Sequence, residues 1–338
     1  MSPFLRRRSA ATAPRAPSSR DDGARVGNRD DRAGVPREVL HQVRLIELRT
    51  RGWVNSLFSG GYLSVFRGRG MEFAEVRAYQ EGDDVRTIDW NVTARMGHPY
   101  VKKHIEEREL SVLLVVDLSG SEQFGTRGRF KAELAAEIAA VLALSAVRNN
   151  DRVGLLIFTD HIEHFVPPKK GRRHVLRLIR DVLVFQPRGR GTELARALDY
   201  AGRVLRHRAV IFVLSDFLLG AADGDARAAR VQDLERTLRL VSARHDVVAI
   251  AIRDAAEEAL PDVGVLVVVD PETGREVAID TGSAAVRALY ASHAAQEREA
   301  VQRLFRRLGV DEVEVRTDRS YIGPLLSFFR KRERQRGR

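Results

Sequence analysis

The chain has 338 residues, 44% of them hydrophobic, which is enough to bury a sizeable core in one large domain or two smaller ones. It contains no cysteine, which excludes disulfides, thiolate zinc sites, iron–sulfur clusters and cysteine nucleophiles and suits a reducing cytoplasm. The net charge of +11 gathers at the ends: residues 1–35 hold eight arginines against four aspartates, residues 330–338 hold six basic residues against Glu333, and the body between is nearly neutral.

Residues 1–35 are rich in Arg, Ala, Pro, Ser, Asp and Gly with almost no large apolar side chain, and this composition predicts a disordered basic tail. No apolar h-region follows its arginines, so no signal peptide is expected. From Pro36 onward Val39, Leu40, Val43, Ile46, Trp53 and Leu57 recur at helical spacing and predict a helix that packs on the main domain. The rest of the region 36–110 reads as glycine-rich connections and loosely strand-like residues (Phe73, Val76, Tyr79) around the turn Glu81–Asp84. Asp83, Asp84 and Asp89 are expected to cap turns and to pair with Arg77, Arg86 and Arg95.

From Ser111 a regular alternation of strand and helix begins. Strands are predicted at 111–116, 152–158, 162–166 (a short edge strand), 209–214 and 246–252, with helices at 129–148, 172–184, 192–205 and 231–243. Such alternation implies right-handed crossovers and a mostly parallel α/β sheet with helices on both faces. A hairpin insertion near 262–282, a helix over 283–308 and an alternating strand at 310–315 complete a domain expected to span 111–318. A carboxy-terminal helix with a basic tail is expected over 319–338. The longest nearly apolar helical stretch, Leu134–Val147, is too short to cross a bilayer and contains Glu137.

Three strand ends or helix starts carry oxygen donors: Asp117, Ser119 and Ser121 in DLSGS, Thr192 in RGRGTELA, and Asp216 in LSDF. Loops at the carboxyl ends of parallel strands converge on one edge of the sheet, so these five side chains can meet. Two carboxylates and three hydroxyls suit a hard divalent cation, Mg²⁺ or Mn²⁺, and leave it electrophilic toward one further anionic oxygen. Individually the hydroxyls also suit helix N-caps and the aspartates Asx turns; the five together read as a metal site.

This pattern resembles the metal-ion-dependent adhesion site (MIDAS) of von Willebrand factor type A domains, over roughly 111–252. By that resemblance Ser119, Ser121 and Thr192 contact Mg²⁺ through hydroxyls, and Asp117 and Asp216 act directly or through water. The segments RAYQEGDDVRTIDWNVTAR, NNDRVGLLIF and YIGPLLSFFRKR are similar to the bacterial domain-of-unknown-function family number fifty-eight, over about 70–332. The resemblance implies a Rossmann-like von Willebrand A fold and a non-enzymatic metal-dependent protein-interaction module. It also implies a MoxR-type AAA+ ATPase partner and a client complex served by chaperone-like assembly. Glu122 departs from the methionine usual there, adding an acid that either tunes the ion or faces solvent.

Two other chemistries are open at this stage. Asp117 could be the nucleophile of a metal-dependent phosphohydrolase of the haloacid-dehalogenase type, although Ser119 stands where those enzymes place a second aspartate. The basic tails could bind nucleic acid or an anionic surface without sequence specificity. No GxxxxGK[ST] phosphate loop is present. His161 and His164 lack a third metal ligand nearby and read as surface residues.

Overall fold

The computed structural model describes residues 41, 43–50, 52, 54, 71–106, 110–123, 129–218, 224–269 and 276–336. All of them belong to the unit Pro36–Arg338. The tail predicted over 1–35 lies outside the described residues, as do Val39, Leu40, Trp53 and Leu57.

The sheet is built from β3 (Ser111–Asp117), β4 (Arg152–Phe158), β5 (Ile162–Lys169), β6 (Ala209–Ser215), β7 (Asp246–Arg253) and β10 (Asp311–Arg316), in the order β10-β7-β6-β3-β4-β5. Every pairing is parallel except β4 with β5. Counted by their sequence within the sheet, the strands follow the 3-2-1-4-5-6 order of doubly wound folds. The architecture is a doubly wound α/β sheet, mostly parallel, with helices on both faces. The strand order reverses between β3 and β6, which are direct neighbours in register from Ser111↔Ala209 to Val116↔Leu214.

Side chains of β3 alternate between two cores, as strand geometry requires. Val112, Leu114 and Val116 join the core closed by α2 (Lys131–Arg148), α3 (Arg172–Val184) and α8 (Ile322–Arg336). Leu113 and Val115 join the other, closed by α4 (Leu194–Val204), α5 (Gly224–Arg244) and α7 (Ala284–Leu308). Burial on both faces is why β3 reads as a continuous apolar run.

In the amino-terminal region residues 43–50 are helical, Val43, Ile46 and Val54 belong to the first core, and Arg172 Nε donates to Glu47 Oε1 at 2.9 Å. The loosely strand-like segment is β1 (Met71–Ala78), paired antiparallel with β2 (Tyr100–Glu106) around α1 (Trp90–Met96). Asp83 pairs with Arg77 at 2.6 Å, Asp84 accepts from the Arg86 amide, and Asp89 caps α1. The hairpin β8 (Val265–Val269)–β9 (Glu276–Asp280) is a separate two-stranded sheet.

The carboxy-terminal helix is more than an appendage. Tyr321, Ile322, Leu325, Phe328 and Phe329 are part of the first core. Arg332, expected in a basic tail, donates to Asp246 at 2.8 and 2.9 Å and to Asp311 at 2.6 Å. At the far edge, β5 carries Pro167 and Pro168, and its close approach is admitted by Gly154, where a Cβ would stand 2.9 Å from the Val166 carbonyl.

Candidate metal centre

β3 and β6 end side by side at the reversal of strand order, where doubly wound sheets open their crevice. Asp117 ends β3 and Asp216 follows β6 directly. The chain turns sharply after Asp216: Phe217 has a φ of 54°, held by its amide donating to Ser215 Oγ at 3.0 Å and by its ring packing edge-on against Phe305. This turn directs the Leu218 amide back to Asp216 Oδ1 at 2.9 Å.

Four of the five predicted ligands are directly connected. The Ser119 amide donates to Asp117 Oδ1 at 2.9 Å, and Ser119 Oγ lies 3.1 Å from Ser121 Oγ. Ser121 in turn hydrogen-bonds the Asp216 carboxylate. Thr192 is brought to the same edge by its loop, because the Gly120 amide donates to the Arg190 carbonyl at 2.8 Å. Its side chain lines a hollow together with Leu218 and Arg230. Asp117, Ser119 and Asp216 are buried, whereas Ser121 and Thr192 are partly exposed and form the open side.

Glu122 does not face solvent. It is fully buried, its Oε1 accepts the Asp216 amide at 3.0 Å, and oxygens of Asp117, Glu122 and Asp216 lie within 4.8 Å of one another. Burial, then the charge of Asp216, holds the Asp117 carboxyl well above the usual range. Glu122 is likewise held well above its ordinary value by burial, which the Lys131 charge only partly offsets. Asp216 is also buried, but the Lys131 ammonium together with the Leu218 amide and Ser121 outweighs that and keeps its carboxyl low. Such a cluster carries more acid than its local cations balance, and Glu122 Oε2 has no hydrogen-bond partner among the described residues. An oxygen-rich, under-neutralised cluster with an orphaned acceptor fits a divalent cation.

Four participants escaped the sequence reading. Lys131, the first residue of α2, is fully buried, donates to Asp216 Oδ2 at 2.6 Å and also reaches Glu257 Oε1. Glu257 lies in α6 (Ala255–Glu258), and Arg253 Nη1 donates to the Asp216 carbonyl at 2.5 Å. Ser215 Oγ donates to Asp117 Oδ2 at 2.7 Å. A signal for Lys131 did exist: it is one of only six lysines among 57 basic residues, placed at a helix start where the dipole disfavours a cation.

The histidines of HIEH have local acidic partners, His161 with Asp160 and Glu163, His164 with Asp181. The acid between them matters more to the site. Glu163 Oε1 accepts the Arg188 and Gly189 amides, both at 2.8 Å, and the Thr159 hydroxyl at 3.0 Å, anchoring the loop that leads to Thr192.

Residues 75–300 match the family described as "Protein of unknown function DUF58". A relative in Mycobacterium tuberculosis, described as an uncharacterized protein, is 36% identical over 296 residues, covering 86% of this chain and 89% of its own. Among solved structures, BatB from Bacteroides thetaiotaomicron aligns with a TM-score of 0.40 at 15% identity, over 68% of this chain and 98% of that one. The SpRpn10 VWA domain aligns with a TM-score of 0.33 at 12% identity, over 65% and 95%. Among the described residues no helix is long and apolar enough to cross a membrane. With two thirds of its length matched by the family and a relative covered almost end to end, the chain belongs to the DUF58 family.

Proposed function

We propose that this protein is a non-enzymatic, metal-dependent protein-interaction module. In this reading Asp117, Ser119, Ser121, Thr192 and Asp216 hold Mg²⁺ or Mn²⁺. The observation that carries it is the set of three buried carboxylates within 4.8 Å, one with an unpartnered oxygen, at the reversal of strand order. The ion supplies an electrophilic position that one carboxylate oxygen of a partner protein fills. Ser121 and Thr192 line the approach. A MoxR-type AAA+ ATPase in the cytoplasm is the working partner, and chaperone-like assembly of a client complex is the task.

A phosphohydrolase is less well supported, since Asp117 is fully buried and Ser119 stands where such enzymes place a second aspartate. The basic-tail reading is weakened at the carboxyl end, where Arg332 is already neutralised by Asp246 and Asp311.

Calorimetric titration of Mg²⁺ and Mn²⁺ into the wild type, Asp117→Ala and Thr192→Ala tests the site, with circular dichroism to check the fold. Micromolar to millimolar binding by the wild type that both variants weaken is expected. Wild type that binds neither ion, or variants that bind equally well, would remove the site. Copurification with a co-encoded AAA+ ATPase with and without chelator tests the partner, and retention that ignores chelator counts against metal-mediated contact.

A further inference from the structure

Lys131 stands at the cation-binding corner of the site although no ligand pattern includes it. Its side chain has no solvent exposure, and its ammonium lies between Asp216 and Glu257. Neither helix geometry nor capping explains it. It occupies the first position of α2, where the helix dipole opposes a positive charge, and Phe130 before it makes no side-chain cap bond. A compact ammonium stands here in a chain whose basic side chains are otherwise mostly the wider, planar guanidinium. Burial works against its charge, but the neighbouring acids Asp216, Glu122 and Glu257 outweigh that and keep it cationic.

The surroundings are arranged so that the ammonium can loosen from Asp216 without collapse. Glu257 is fixed by its own helix cap, its Oε2 accepting the Asp254 amide at 3.1 Å. Arg253 and Glu122 hold the Asp216 backbone from either side through its carbonyl and amide. The Leu218 amide and Ser121 hold its carboxylate independently of Lys131. A divalent ion on Asp216 would sit about 2–2.6 Å from its ligand oxygens and therefore within a few ångströms of the ammonium, a like-charge approach in a poorly screened place.

We propose that Lys131 is a built-in counter-cation that competes with divalent ions for Asp216, with Glu257 as the second acceptor that keeps the ammonium when the ion binds. This rests on the metal reading above. The native chain then remains folded with the ion absent, and its affinity is set lower than its acids alone would give.

Mn²⁺ titration of the wild type, Lys131→Gln and Glu257→Gln, with thermal unfolding in chelator and in Mn²⁺, tests it. Lys131→Gln is expected to bind Mn²⁺ about tenfold more tightly or better, and to melt much lower in chelator than in Mn²⁺. Glu257→Gln is expected to bind about threefold more weakly or worse, because Lys131 is left with Asp216 alone. A wild type that binds, with Lys131→Gln no tighter, overturns the inference and leaves the metal reading standing. If Lys131→Gln does not fold, unchanged affinity in Glu257→Gln overturns it. No ion binding by any of the three overturns both.

Discussion

Ser215 Oγ donates to Asp117 Oδ2 at 2.7 Å, across 98 positions of sequence, tying the ends of β3 and β6 together at the reversal of strand order. This bond stabilises the charged form of a carboxyl that burial otherwise raises. Ser215→Ala is expected to lower stability by about 1–3 kcal/mol, the range for a lost hydrogen bond to a buried acid. It should also weaken Mn²⁺ binding, because Asp117 then holds its proton more firmly. Chemical denaturation and calorimetry check the two parts separately.

Glu122→Gln keeps the shape and the acceptor for the Asp216 amide but removes a buried acid with an unpartnered oxygen. In chelator the variant is expected to be more stable than the wild type by about 1 kcal/mol, and to bind divalent ions more weakly. Denaturant midpoints in chelator that fall rather than rise would show that Glu122 is a structural acceptor first.

Glu163 gives a pH dependence. Burial pushes its carboxyl up, but the Gly189 and Arg188 amides and the Thr159 hydroxyl prevail and hold it below 4.5. A folded value below the unfolded one means stabilisation that is complete above the unfolded value and is lost as pH falls through the folded value. Melting temperatures of wild type and Glu163→Gln, followed from about pH 6 down to about pH 3, should differ in favour of the wild type at the upper end and converge at the lower.

Gly189 shows how closely that loop is fitted. A Cβ there would fall 2.2 Å from Asp160 Oδ1 and 2.3 Å from Thr159 Oγ1. Gly189→Ala is expected to push the loop off Glu163 and weaken metal binding through Thr192, with a modest stability loss of about 1–2 kcal/mol. An unchanged Mn²⁺ affinity would separate Thr192 from the ion.

Arg332 joins α8 to the starts of β7 and β10 through Asp246 and Asp311, and its guanidinium lies 5.0 Å from the Phe328 ring centre. Arg332→Ala leaves two half-buried aspartates facing each other and is expected to cost about 2 kcal/mol in urea unfolding. Salt should shrink the difference only partly, because the three side chains are mostly shielded from solvent.

The elements of the sheet were legible because each strand is a short run of apolar residues closed by a polar one, as in LSVLLVVDLSGS. Strand β4 and helix α3 were predicted to the residue, and the other strands of the sheet to within three. The pairing of β1 with β2 was not, since it bridges more than twenty residues and depends on α1 folding between them. The integration of α8 was hidden by its basic composition, which concealed a face of aromatic residues and a cation with two acceptors elsewhere in the chain. For the same reason the local motif pointed to Asp117, Ser119 and Ser121 but not to Lys131, whose partners are 85 and 126 positions away.

Pro167 and Pro168 have a consequence beyond their packing on Gly154. They lie on the outermost strand, where successive amides alternate between the inner and the outer edge, so one of the two prolines withholds an amide hydrogen that an arriving strand from another molecule would need. That rim is a poor template for runaway sheet growth, so the sheet ends on this side without inviting a strand from a neighbouring molecule.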